Sequence, residues 1–295
     1  MSKEIREGLV KKQTLTETEL TAIEQLVEVC NRYENLHLRL NWELLRARPG
    51  VVVDDFLFYE HGRLVGYLAL DSFDPEQQEL SGMVHPDHRR RGIFSTLLSA
   101  AKEECAWRGV RKMLLSCERA SNSGCAFAAS IGARYSFSEY EMVLEHFQGQ
   151  SALDTRLHFR EAGDADLDLL AAIMAASFGY PEAETREMVA RRGGPDRRFY
   201  IMTFREGSTG SEEPVGLLRL DETSDEFGIY SFGIVPDYRR RGYGQQMLEE
   251  AIRTIRAKSQ QPIVLYVDTT NAPALALYRS CGFQIRTTYD YYEIV

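Results

Sequence analysis

The sequence lacks four features that mark whole classes of protein. It has no apolar run of about 18 residues and no N-terminal signal pattern, so neither membrane spanning nor secretion is expected. Positive charge is not in excess, since the net charge is −9 and the isoelectric point is about 5.3, which argues against a nucleic-acid partner. The five cysteines are scattered without Cys-x-x-Cys spacing, and they predict reduced thiols in a cytosolic protein.

The sequence does contain an internal repeat and enough apolar residues for two folded domains. Of its 295 residues, 44% are hydrophobic and 11% are aromatic, so extensive disorder is not expected. Residues 84–94 match residues 234–244, with Gly92 and Gly242 standing 150 positions apart. Such a repeat predicts two copies of one domain.

The polar, glycine-containing segment 148–151 is the predicted boundary between the copies, which gives domains 1–150 and 151–295. Each copy mixes hairpin strands with helices, which is typical of a domain that contains both α and β structure. In the first copy the apolar pattern also predicts a helix over 36–46 and a strand over 51–59.

The most informative stretch is the junction between a predicted strand, 227–235, and a predicted helix, 245–258. Gly242 and Gly244 lie at this junction, where glycine lets the backbone turn sharply and leaves amides free. Successive amides at a helix start can bind phosphate, and the neighbouring arginines add positive charge. The stretch therefore predicts a diphosphate-binding loop, and the alternative is a solvated arginine run that caps a helix.

Two motifs of the second copy resemble those of the GNAT acetyltransferase superfamily. They are Arg239-x-x-Gly242-x-Gly244, which follows Ile234-x-Pro236, and Asn271-x-x-Ala274-x-x-Leu277-Tyr278-x-x-x-Gly282-Phe283. The resemblance implies an α+β fold of two tandem GNAT-like domains, each with a mixed, mostly antiparallel sheet flanked by helices. It also implies acetyl transfer from acetyl-coenzyme A to an amine in the second copy. The tandem layout is similar to that of the mycothiol synthases, but no residue identifies a thiol-sugar acceptor.

The resemblance further implies which residues contact the coenzyme. In the second copy these are Phe232, Gly233, Ile234, Arg239, Arg240, Arg241, Gly242, Tyr243, Gly244, Gln245 and Asn271. In the first copy they are Val84, Arg89, Arg90, Arg91 and Gly92. Strand residues would pair with the pantetheine arm and the loop would hold the pyrophosphate. Asn271 is equally suited to capping a helix, and Gly233 to forming a bulge.

Two residues are the predicted catalysts. The resemblance assigns Tyr278 as the general acid that protonates the departing thiolate of coenzyme A, and the alternative is a tyrosine that only packs in a helix. Family members often carry a glutamate on the strand before the loop, where this chain has Gly228. Glu226 lies two residues earlier on the same face of the strand, so it is the predicted general base.

The first copy is predicted to be non-catalytic. Phe94 replaces the second glycine of the loop and crowds the amides. Counting back from the glycine of the second motif places Ala128 at the general-acid position, so the acid is missing unless Tyr135 or Tyr140 reaches the site. Counted from Asn122, that motif is one residue short.

Two alternatives to an N-acetyltransferase stay open. One is a non-catalytic acyl-coenzyme A sensor or scaffold, and the other is an acyltransferase with a longer acyl donor. The acceptor is expected to be a small-molecule or peptide amine. No nucleic-acid, membrane or metal partner is expected, since the six histidines lack metal-ligand spacing apart from His85 and His88.

Overall fold

The computed structural model describes residues 6–74, 77–147, 149, 153–192, 196–207 and 210–294 of the chain. These residues form two compact units. The N-terminal unit comprises Met1–Ser138 and Thr287–Val295, and the C-terminal unit comprises Glu139–Arg286.

The N-terminal unit mixes hairpin strands with helices, as predicted. Its elements are β1 (Gly8–Lys12), α1 (Glu17–Glu34), α2 (Trp42–Arg46), β2 (Asp55–Glu60), β3 (Arg63–Asp74), β4 (Gln77–Val84), α3 (Ile93–Arg108), β5 (Lys112–Glu118), α4 (Asn122–Ser130) and the start of β6 (Arg134–Leu144). The last strand of the chain, β12 (Phe283–Ile294), also ends in this unit.

The sheet of the N-terminal unit has the order β1, β2, β3, β4, β5, β12. All neighbouring strands are antiparallel except β4 and β5, which α3 connects as a parallel pair. Helix α3 buries Leu97 and Ala101 in the core on one face, and α1 buries Ile23 and Leu26 in the core on the other. Helices therefore cover both faces of the sheet in which β4 and β5 are neighbours.

The C-terminal unit repeats this arrangement. Its elements are β7 (Leu157–Glu161), α5 (Leu167–Phe178), α6 (Glu182–Arg192), β8 (Arg197–Arg205), β9 (Glu212–Glu222), β10 (Phe227–Ile234), α7 (Tyr243–Arg256), β11 (Ile263–Asp268) and α8 (Ala272–Ser280). The sheet order is β7, β8, β9, β10, β11, β6, with only β10 and β11 parallel. The predicted α+β class and mixed sheets are thus confirmed. No described helix is both long and apolar enough to cross a membrane.

The final strands of the two repeats are exchanged. Residues 289–294 of β12 pair with β5 of the N-terminal unit, and residues 139–143 of β6 pair with β11 of the C-terminal unit. The compact units therefore divide the chain elsewhere than at the predicted boundary, 148–151, of which only Gly149 lies within the described residues. An alternating strand pattern fixes which side chains are buried but not which sheet the strand joins. The domain ranges 1–150 and 151–295 stay a prediction.

Helix α1 shows how local sequence sets an element's limits. Thr16 caps it by accepting a hydrogen bond from the Glu19 amide, and the Glu19 carboxylate accepts one in return from the Thr16 amide. Asn35 ends it in a left-handed conformation, with φ of 54°.

The predicted helix over 36–46 is wrong in extent, because only Trp42–Arg46 is helical. The amides of His37 and Leu38 instead donate to the Glu118 carboxylate and to the side chain of Asn31, which holds this segment extended. The predicted strand over 51–59 likewise starts only at Asp55.

Candidate active site

The loop between β10 and α7 has the backbone shape that its glycines predict. Arg240 and Gly242 both adopt left-handed conformations, with φ of 60° and 78°. The corresponding loop of the N-terminal unit repeats it, with φ of 65° at Arg90 and 79° at Gly92. Left-handed residues two positions apart can turn the amides around them toward one side, as in an anion-binding concavity. Both loops therefore have a backbone suited to phosphate, despite Phe94 in the first.

The arginine side chains of this loop differ from one another in what they contact. The Nε of Arg239 donates to the Ile234 carbonyl at 2.8 Å, which ties the loop to the end of β10. Arg241 lies over the Tyr238 ring, 5.1 Å from its centroid, and the exposed Arg240 stays available to an anion.

The first turn of α7 contributes mainly its backbone. Tyr243 is buried in the core beside Phe204, and the Gln245 amide group donates to the Glu249 carboxylate at 2.9 Å. Gly244 lies against Leu277, and a side-chain carbon added there would approach Leu277 Cδ2 at 3.4 Å. Tyr243 and Gln245 thus have their side chains engaged, and what the turn offers to a ligand is its amides.

A cleft opens where the two parallel strands diverge. β10 and β11 pair over Phe227–Ile229 and Ile263–Leu265, and this pairing stops before β10 ends at Ile234. On the other side, the register with β9 shifts between Tyr230 and Gly233, and Ser231 has φ of 48°. This is a β-bulge, which breaks the ladder and leaves backbone amides unpaired. A bulge was predicted here only as the alternative explanation of Gly233.

Gly233 satisfies a second constraint at the same place. A side-chain carbon there would lie 2.7 Å from the Cβ of Ser177 and 3.0 Å from the ring of Phe178 at the end of α5. Such distances do not occur in real packing, so α5 can approach the strand only because residue 233 is glycine. Its neighbours Phe232 and Ile234 pack against the α7 side of the sheet.

Tyr278 lies on α8, facing the divergent end of β10. Its ring centroid is 6.2 Å from that of Phe232, and the residue is only 7% exposed. Within the described part of the chain no group makes a hydrogen bond with its hydroxyl. Burial raises the pKa of Tyr278 to about 12, so the hydroxyl is neutral and can donate.

Asn271 caps the helix that carries Tyr278. Its side-chain oxygen accepts from the Ala274 amide at 3.2 Å. In the N-terminal unit Ser121 does the same for α4, accepting from the Gly124 amide at 3.1 Å. The first copy is therefore not one residue short, because its motif starts at Ser121 rather than at Asn122. Aligning the two copies at their final glycines would have shown this.

The predicted base, Glu226, immediately precedes β10 and lies six positions before Phe232, about 20 Å along the strand. Its carboxylate bonds to Arg286 at 3.1 Å. Burial raises the pKa of Glu226, with Arg286 opposing that shift. At Gly228, the position where the family often has a glutamate, the Tyr230 ring occupies the space of a side chain, 2.2 Å from an added carbon.

The N-terminal unit has a cleft in the corresponding place, and its cavity measures about 670 Å³. β4 and β5 pair only up to Leu80 and Leu115. However, the register between β3 and β4 is unbroken from Gly66 to Asp71, so β4 has no bulge opposite the cleft. The general-acid position is held by Ala128, which is fully buried. The cleft is thus present without the two features that distinguish its counterpart.

The two clefts carry an aromatic residue on opposite elements, one on the strand and the other on the helix. In the C-terminal unit Phe232 on the strand faces Gly244 on the helix, whereas in the N-terminal unit Phe94 on the helix faces Gly82 on the strand. A carbon added at Gly82 would lie 3.1 Å from the Phe94 ring, which packs edge-on against Phe127. The prediction that Phe94 crowds the loop amides did not take account of Gly82, which has no side chain and so leaves room for the Phe94 ring.

Among the described residues no group of three or more histidine, cysteine, aspartate or glutamate side chains could hold a metal ion. The site is therefore described by its loop, cleft and helix alone.

The site thus combines a glycine loop, two parallel strands that diverge and a helix behind them. The sequence profile of the Acetyltransferase (GNAT) family matches residues 17–133 and 167–283, one match in each repeat. The chain belongs to the GNAT acetyltransferase family, and it is an acyltransferase.

Several relatives span most of the chain. The mycothiol acetyltransferase of Corynebacterium glutamicum is 24% identical over 263 residues, which cover 84% of each chain. That of Thermomonospora curvata is 26% identical over 293 residues, which cover 94% of each.

Solved structures share the tandem fold. A GCN5-related N-acetyltransferase from Sphaerobacter thermophilus matches with a TM-score of 0.77 and 18% identity, over 98% of this chain and 96% of that one. A tandem GNAT protein from the clavulanic acid biosynthesis pathway matches with a TM-score of 0.74 and 18% identity over 97% of both.

Proposed function

We propose that this protein transfers an acetyl group from acetyl-coenzyme A to the amine of a small molecule, and that the C-terminal unit carries out the reaction. One observation supports the choice of unit. The bulge in β10 and the buried hydroxyl of Tyr278 lie side by side in the C-terminal unit, whereas the N-terminal unit has a regular strand and Ala128.

The residues present fit acetyl-coenzyme A. The left-handed Gly242 and the free first turn of α7 offer amides to the pyrophosphate, and Arg240 offers charge. Residues 231–234, at the end of β10 beyond its pairing with β11, can bond the amides of the pantetheine arm as an added strand would. When bound, the coenzyme supplies an activated thioester.

Two groups would then act on the thioester. An amide freed by the bulge can donate to the carbonyl oxygen as negative charge develops on it. Tyr278 can donate to the sulfur as it departs, since the raised pKa of its hydroxyl keeps it protonated at neutral pH. These groups stabilise opposite ends of the bond that breaks, and both are held by rigid elements.

The amine must lose a proton, and we propose Glu226 as the group that receives it. At about 20 Å along the strand from Phe232, it is beyond the reach of direct contact or of a single bridging water, so the proton would have to pass to it along a chain of ordered waters. Its raised pKa brings the carboxylate closer to the range in which a base works well. Arg286, 3.1 Å away, holds it in place.

The acceptor is proposed to be a small molecule because the relatives named mycothiol acetyltransferase cover nearly the whole chain. Free thiols at all five cysteines support the predicted cytosolic location.

The experiment that tests the function measures coenzyme A release. The protein is incubated with acetyl-coenzyme A and a panel of amino sugars, polyamines, amino acids and a lysine peptide, and free thiol is followed by a chromogenic disulfide. We expect turnover with at least one small amine and none without acceptor. Tight binding without turnover would favour a sensor, and turnover only with longer acyl donors would change the donor.

A further inference from the structure

Glu34, the last residue of α1, lies at the centre of a hydrogen-bonded cluster in the N-terminal cleft. Its carboxylate accepts bonds from the Ser123 amide at 3.1 Å, from the Ser123 hydroxyl at 2.8 Å and from the Arg89 guanidinium at 2.9 Å. The side chain is only 11% exposed. Burial alone would raise the pKa of Glu34, but the bonds from Ser123 and Arg89 outweigh it and lower that pKa. The group is therefore an ionised internal anion.

The bonds of Glu34 connect the two sides of the cleft. On the β4 side, Arg89 bonds both Glu34 and, through its Nε, the Val84 carbonyl at 3.1 Å. On the β5 side, Ser123 belongs to the first turn of α4, which follows β5. The strands themselves stop pairing at Leu80. Beyond that point the Glu34 cluster joins the two sides through hydrogen bonds, beside the ring contact between Phe94 and Phe127.

Among the described residues of the C-terminal unit, no carboxylate makes such a connection across the cleft. Its α5 ends in Phe178, which holds the position that Glu34 holds at the end of α1, each followed by a left-handed residue. Arg239 turns instead to the Ser177 carbonyl, at 2.7 Å. Since the two loops share one backbone conformation, the loops themselves do not distinguish the clefts.

We infer that Glu34 is an internal latch that closes the N-terminal cleft to the pantetheine arm of coenzyme A. An arm lying between the ends of β4 and β5 would have to displace the bonds from Glu34 to Ser123. The carboxylate also takes up the cationic group, Arg89, that would otherwise attract the coenzyme's phosphates. The inference depends on the proposed function only for the identity of the ligand.

The test is calorimetric titration of the full chain with coenzyme A in a Gly242→Glu background, which disables the C-terminal loop. We expect Gly242→Glu to show no binding within the detection limit of the titration, and Gly242→Glu with Glu34→Gln to bind one coenzyme per chain with an affinity at least tenfold above that limit. The matched control is Glu28→Gln in the same background, because Glu28 is an exposed acid on the same helix and should change nothing.

Equal binding by Gly242→Glu with and without Glu34→Gln would overturn the latch, whether both bind or neither does. Hydrogen exchange provides a second reading, since Glu34→Gln should speed exchange of the amides in the first turn of α4 at least tenfold. If Glu34→Gln does not fold, Ser123→Ala removes one of the three bonds and should give a smaller gain in affinity; no gain overturns the inference. A wild-type chain that binds no coenzyme would refute the proposed C-terminal site and leave the comparison in the N-terminal cleft intact.

Discussion

Replacing Tyr278 by phenylalanine should lower activity without lowering stability. The change removes one oxygen and keeps the ring that packs near Phe232 and Phe283. No hydrogen bond to the protein is lost, because the described residues provide none. A buried hydroxyl without a partner costs about 1 to 3 kcal/mol, and access of water reduces that figure. We therefore expect the free energy of unfolding to stay equal or rise by up to about 1 kcal/mol.

The catalytic loss can be bounded from the pKa. A positioned acid is worth about 100- to 10,000-fold in rate. The pKa of Tyr278, about 12, lies above that of a thiol, about 8.5, so full proton transfer is unfavourable and a hydrogen bond is the main contribution. The loss should therefore lie toward the lower end, about 10- to 100-fold in kcat, or about 1.4 to 2.7 kcal/mol of barrier.

The assay compares wild type and Tyr278→Phe by thiol release at saturating amine and acetyl-coenzyme A, and by thermal unfolding. The KM for acetyl-coenzyme A should change little, and Tm should rise by no more than about 3 °C. The pH profile adds a check, since Tyr278 should cause no alkaline loss of wild-type activity until the pH approaches 12. Unchanged kcat with a lower Tm would refute the catalytic role and make Tyr278 a packing residue.

Three further predictions concern the loop, the base and the exchanged ring. Gly242→Glu should abolish turnover while Gly92→Glu leaves most of it, and equal losses in thiol release would mean that both clefts work. Glu226→Gln should lower kcat at least tenfold below the pKa of the amine and less above it; a uniform loss across pH would assign Glu226 to structure alone. Gly244→Phe should cost about 1 to 3 kcal/mol of stability by overpacking. Adding Phe232→Ala should recover part of it, and thermal unfolding that shows additive losses would contradict the exchange.

How far the sequence predicted this structure depends on the range of the interactions involved. The loop at Gly242 and the helix that follows it are local, and each was predicted within a few residues. The bulge before Gly233 was only an alternative, because register depends on β9, a different strand. The segment before α2 was predicted to be helical. Its bond to Glu118 joins it to a distant part of the chain, so the local pattern could not show that bond.

The site shows the same limit. Strand alternation placed Glu226 on the face of Gly228, but it could not show that Tyr230 folds over that glycine or that Arg286 holds the glutamate. Nor does either motif contain Glu34, whose partners come from a loop and a helix far along the chain. Motifs identify residues that bind by backbone, whereas side-chain partners across elements need coordinates.

The exchanged final strands have a consequence for how the protein is made. The edge of β5 is covered by residues 289–294, which belong to the second repeat and are synthesised long after β5. During translation the N-terminal unit therefore has an open sheet edge, of the kind that pairs with other chains, until the second repeat has been made. A gene cut between the repeats would leave β5 and β11 both uncovered, so neither repeat could be inherited or expressed as an independent enzyme without first recovering a strand of its own.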